Sequence, residues 1–173
     1  MKEENTLTKI FAYLSILSGA VWLGAYITRL MVSYQLFNID MNFINYVNKQ
    51  NIEGIMRTIA PTVNITFVSY IIFIVVFTLF LITTNLKLKR NGWLFIIAII
   101  VYFTLPFEVY LLSFDYKIIS DIYFSDAANF NKVLDLIKEQ LHTFSGFPLI
   151  ILFGYFAAVY FLLFKPLTTK DDK

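Results

Sequence analysis

The chain has no cysteine. That removes disulfides, thiolate metal sites, iron–sulfur clusters and cysteine nucleophiles together. It has one histidine, His142, whereas bis-imidazole haem needs two and histidine-built zinc or copper sites need two or three. Only a metal site shared with another subunit stays open. Charge is scarce as well: 15% of residues are Asp, Glu, Lys or Arg, against about 25% in soluble domains. The net charge of +2 gives no basic surface for nucleic acid. There is no phosphate-cradling glycine loop and no Ser/His/Asp order, so the residues suggest neither an enzyme nor a cofactor.

What fills the 173 residues instead is apolar sequence, 58% of the total, with a mean hydropathy of +0.69. Four segments are long enough to cross about 30 Å of hydrocarbon at 1.5 Å per residue. They are residues 10–37, 60–83, 93–114 and 144–164. The expected class is all-α: a polytopic membrane protein with a four-helix transmembrane domain over residues 10–164. A polar segment, 1–9, precedes it and a polar tail, 165–173, follows. Glu3 and Glu4 do not fit the basic start of a signal peptide, and the apolar run continues past Ala20, so the first helix is expected to stay.

Orientation follows from the basic residues. Lys2, Lys9, Lys87, Lys89, Arg90, Lys165, Lys170 and Lys173 share the side of both termini. Lys49, Arg57, Lys117, Lys132 and Lys138 lie on the other. The short basic turn at Lys87–Arg90 should be cytoplasmic, which puts both termini inside the cell membrane.

Both outer connections carry amphipathic segments, each read as helical. Phe43, Val47, Ile55, Met56 and Ile59 follow helical spacing roughly, with breaks near Asn51 and Gly54. Phe130, Val133, Leu134, Ile137 and Leu141 fit a helix face more cleanly, with Ser125 or Asp126 as the N-cap. Such segments lie in the interface, extend the second and fourth spans, or cover the bundle. In the first span, Ala20, Gly24 and Thr28 form a small-residue row that suits close helix approach. Trp93 and Tyr160 read as interfacial anchors.

An ionisable side chain in a membrane helix costs roughly 2.5–3.5 kcal/mol on insertion scales and faces the bundle interior or water. Arg29 lies about 10 Å beyond the first span's centre, near Trp22–Leu23, and Glu108 about 8 Å beyond the third's, near Phe103. Both displacements point outward, so the two charges should share a depth. Asn64, His142, Thr143 and Ser145 fall at the same end. Thr104, Glu108 and Asp115 share one helix face, as do Trp22, Tyr26, Arg29 and Ser33. The expected site is thus an outward-opening polar pocket of Arg29, Glu108, Asn64, His142, Trp22, Tyr26, Thr104 and Asp115, with Arg29 paired to Glu108. Outward snorkelling of Arg29 is the alternative to a buried pair.

The order of motifs resembles a known group. Leu17-Ser18-Gly19-Ala20-Val21-Trp22-Leu23-Gly24 is similar to the Trp-Leu-Gly signature in the first helix of CopD-like four-helix membrane proteins and related uncharacterised families. Leu141-His142-Thr143-Phe144-Ser145 resembles their Leu-His-x-x-Ser element. The resemblance implies a four-helix membrane fold. The histidine that often precedes the Trp-Leu-Gly element in those families is absent here, where Tyr13 and Ser15 stand, so copper transport is not carried over.

Three functions are open on these grounds. The first is a non-catalytic subunit, assembly factor or scaffold, whose partners are the lipid bilayer and other membrane subunits or a second copy. The second is a small transporter or channel component binding an ion or polar solute at Arg29 and Glu108. The third, an intramembrane enzyme moving a proton between Glu108 and His142, has the least behind it.

Overall fold

The computed structural model describes residues 5–40, 42–48, 50–124, 129–143 and 146–168. The expected N-cap at Ser125 or Asp126, along with Ser145, Phe144, Lys2, Lys49, Lys170 and Lys173, lies outside the described residues. Five helices follow one another: α1 (Thr6–Tyr34), α2 (Ile52–Thr83), α3 (Gly92–Tyr123), α4 (Phe130–Thr143) and α5 (Phe147–Phe164). All but α4 are long and apolar enough to cross a bilayer. α4 is the short amphipathic helix expected from its spacing.

α2 and α3, at 32 residues each, are about 48 Å long and overreach a hydrocarbon core of about 30 Å. Their extra turns project at the end of the bundle where α4 lies. Between them and α4 sits a small second core of Met56, Ile59, Val63, Ile118, Ile122, Val133 and Ile137. α4 therefore covers one end of the bundle by burying its apolar face on the overhanging turns. The larger core, nearer the opposite end, is aromatic: Trp22, Tyr70, Phe73, Phe77 and Tyr155 meet there with Leu94, Ile97 and Val101.

The first long connection departs from expectation. Among its described residues it forms no separate amphipathic helix: α1 stops at Tyr34, and the described part of 35–51 holds turns and an isolated antiparallel bridge from Phe37 to Phe43. Asparagine side chains explain this, because they offer the backbone competing partners. The Asn38 carboxamide oxygen accepts from the Asn42 N–H at 2.9 Å, and Asn48 accepts from the Gln50 N–H at 3.0 Å. Helix resumes at Ile52, so Ile55, Met56 and Ile59 are the first turns of α2.

The Ala20–Gly24–Thr28 row also behaves differently. All three residues are exposed, and a Cβ at Gly24 would meet nothing within 4 Å. α1 instead approaches α2 through the next row, where Gly19 lets the Phe73 ring come within 3.1 Å of its ideal Cβ position. Ser15 and Ser18 are buried on that same side. Trp93 is another correction: it is 6% exposed, inside the core, with the Lys165 ammonium 5.5 Å from its ring centroid.

At the end opposite α4, the chain beyond α5 folds back on the start of α3. The Gly92 N–H donates to the Leu167 carbonyl at 3.1 Å, and Asn91 bridges Thr168. A Cβ at Gly92 would lie 2.8 Å from that of Leu167 and 3.2 Å from its carbonyl oxygen. Gly92→Ala is expected to detach residues 165–168 and to cost about 1–3 kcal/mol by overpacking. Faster proteolysis after Lys165, or faster amide exchange at Gly92, would report the loss; unchanged exchange would refute the packing argument.

Candidate functional site

The polar site lies between the two cores, where α1, α3 and α4 converge. α1 turns one buried stripe inward: Trp22, Tyr26 and Ser33 are all 4% exposed or less, and the Arg29 side chain is 11% exposed. α3 answers with Thr104, Glu108 and Asp115, spaced four and seven residues apart along one face and all buried. The stripe expected on each helix is therefore present, and Arg29 does not snorkel away.

Its partner is Asp115 rather than Glu108. The Arg29 guanidinium grips the Asp115 carboxylate with two prongs: Nη1 donates to Oδ2 at 2.7 Å, and Nη2 stands 2.6 Å from Oδ1. Two parallel charge-assisted bonds are the strongest arrangement available to this pair. Gln140 of α4 closes the ring. Its Oε1 accepts from Arg29 Nη2, while its Nε2 donates to Asp115 Oδ1 at 2.9 Å and to the Leu111 carbonyl at 3.2 Å. Every member is thus neutralised or hydrogen-bonded, as a charge buried in a medium of low dielectric requires.

Glu108 lies seven residues before Asp115, about 10 Å along the helix. It lines the same cavity as Arg29, together with Tyr26, Thr66, Asp115 and Gln140. The residue is 3% exposed, and its Oε1 has no hydrogen-bond partner among the described residues. The Tyr26 hydroxyl and the Trp22 indole N–H are likewise buried and unpartnered among them. About 30 Å³ of the cavity is open to the centre of a water molecule, where roughly 10–15 Å³ holds one. The space suits about two or three water-sized guests.

Four of the eight expected residues come together here: Tyr26, Arg29, Glu108 and Asp115. Trp22 and Thr104 lie next to the cavity rather than in its wall. The Trp22 ring packs on Tyr155 at 4.6 Å and Tyr70 at 5.1 Å between centroids, and the Thr104 hydroxyl lies 3.4 Å from that of Tyr155. Asn64 and His142 do not join. Asn64 is exposed on α2, and His142 is exposed in the last turn of α4.

Gln140, Tyr70 and Tyr155 are absent from the expected set. The signal for Gln140 was present: at three and seven residues past Ile137 and Val133, it is a polar side chain on an apolar helix face. Tyr70 and Tyr155 sit in uniformly apolar helices, where periodicity marks no inward face.

No three His, Asp or Glu side chains among the described residues converge to hold a metal ion. No family model, curated protein or solved structure matches this chain.

Proposed function

We propose that the chain is a multi-pass subunit or assembly scaffold of the cell membrane, with both termini cytoplasmic, α4 on the outer face and no reaction of its own. The observation that carries this reading is the open row Ala20–Gly24–Thr28 on α1. Small residues let a neighbouring backbone approach closely in lipid, where packing rather than hydrophobicity drives association. Among the described residues no helix covers the row, which leaves it open to another polypeptide. The lipid setting rests on the outward apolar surface, in which Phe153, Leu163 and Phe164 of α5 are 71%, 70% and 68% exposed. A soluble monomer rarely tolerates a patch of that extent. The orientation rests on the basic turn at Lys87–Arg90.

The arrangement at Arg29 supports the same choice over an anion carrier. Its charge is already matched inside the chain by Asp115, so it is not waiting for an anionic solute. Toward the cytoplasmic side the aromatic core closes the bundle, and Ser15, Ser18 and Thr104 bury their hydroxyls among apolar neighbours there. Ser18 and Thr104 spend theirs on their own helix carbonyls.

Purification in a mild detergent tests the reading directly. The chain is expected to leave the membrane in a stoichiometric complex, with other subunits or with itself. Gly24→Ile should break that complex while leaving the fold intact, because no described residue comes within 4 Å of a Cβ at that position. A wild-type chain that is monomeric in native nanodiscs would defeat the proposal.

A further inference from the structure

The cavity beside Arg29 holds one more carboxyl group than its guanidinium can pair with. Its wall contains one cationic side chain, Arg29, and two carboxyls, Asp115 and Glu108. Arg29 is committed to Asp115 by two prongs, and Gln140 braces both. Glu108 is left over, with one carboxyl oxygen buried and, among the described residues, unpartnered; the Tyr26 hydroxyl, from the wall of the same cavity, is equally unpartnered among them. A lone carboxylate in such surroundings is strongly disfavoured unless something positive joins it.

The other elements that pack around the cavity supply no charge. α2 contributes Thr66, α4 contributes Gln140 and α5 contributes Pro148. Tyr70 and Tyr155, the remaining titratable groups nearby, belong to the aromatic core. The cavity has room for about two or three waters. Oxygen is the available donor atom, as a hard cation prefers. We infer that Glu108 is a binding site for one small positive charge, either a proton or a monovalent cation such as sodium. This goes beyond the scaffold reading and does not depend on it.

Infrared difference spectroscopy on the full chain in lipid nanodiscs tests the site, first by acidification in choline chloride and then by adding sodium chloride at fixed pH. A proton should replace the carboxylate band of one buried group by a protonated C=O stretch. Sodium should shift the carboxylate band without producing that stretch. Whichever signal appears is expected to be lost in Glu108→Gln and kept in Glu139→Gln, which alters an exposed carboxylate of α4. Tyr26→Phe keeps every charge and is expected to weaken binding several-fold, and it serves if Glu108→Gln does not fold. The inference is overturned if no buried carboxyl responds to either titrant. It also fails if the response survives Glu108→Gln, or if Tyr26→Phe leaves affinity unchanged.

Discussion

Asp115→Ala is expected to destabilise the protein by about 3–5 kcal/mol, the cost of leaving a buried charge without its partner. The stranded group is the Arg29 guanidinium, whose side chain is 11% exposed and whose remaining acceptor among the described residues is the neutral Gln140. Arg29→Ala should cost a similar amount by stranding Asp115, which is 1% exposed. Removing both strands neither member of the pair, so the double variant should cost less than the sum, with a coupling of about 1–3 kcal/mol. The corresponding cycle for Arg29 and Glu108 should show a smaller coupling, since no hydrogen bond or ion pair joins them among the described residues. Reversible unfolding in mixed micelles supplies all the values. Additivity at Arg29 and Asp115 would refute the pair.

The second large effect is expected in the aromatic core. Trp22 is fully buried, and its ring lies 4.6 to 6.2 Å from those of Tyr26, Tyr70, Phe73 and Tyr155. These residues come from α1, α2 and α5, so one side chain joins three helices. Trp22→Ala should cost about 3–5 kcal/mol, as large-to-small changes at buried aromatics do. In lipid the transfer part of that cost shrinks, because lipid tails are as apolar as the protein interior. The dispersion attraction forfeited by the rings around the hole is not regained, whatever the solvent. Trp22→Phe, which retains a ring, should recover more than half of the stability. An alanine variant as stable as wild type would mean that α5 can close onto α1 without the indole.

How the site came to be half legible is clear from its two carboxylates. Placing Arg29 opposite Glu108 relied on span centres at Trp22–Leu23 and Phe103, taken from where the apolar runs begin and end. The helices are differently bounded: α1 is centred on Ala20, and α3, extending to Tyr123, near Phe107. Measured from these midpoints, Arg29 lies about 13 Å out, Asp115 about 11 Å and Glu108 only about 1 Å. Depth does identify the partner, once the polar turns that continue α3 past the apolar run are counted as helix. Hydropathy misses those turns because their shelter comes from α4, a separate helix. Faces fared better than depths, since 3.6-residue periodicity needs no knowledge of helix ends. The stripes through Trp22, Tyr26, Arg29 and Ser33, and through Thr104, Glu108 and Asp115, could be seen at once. The asparagine-rich stretch from Asn38 to Asn51 was hardest, because scattered apolar residues imitate a helix face while the carboxamides quietly satisfy the backbone.

The clasp among α1, α3 and α4 also has a temporal side. Arg29 precedes Asp115 by 86 positions and Gln140 by 111. At a synthesis rate of about 5–20 residues per second, the arginine waits roughly 4 to 17 seconds for its carboxylate. In the membrane setting proposed above, the newborn first helix carries an unanswered cation throughout that interval, and the cation rests at the lipid headgroups, in water, or against the insertion machinery. A nascent chain arrested before Asp115 should accordingly hold its first helix shallower than the finished protein does.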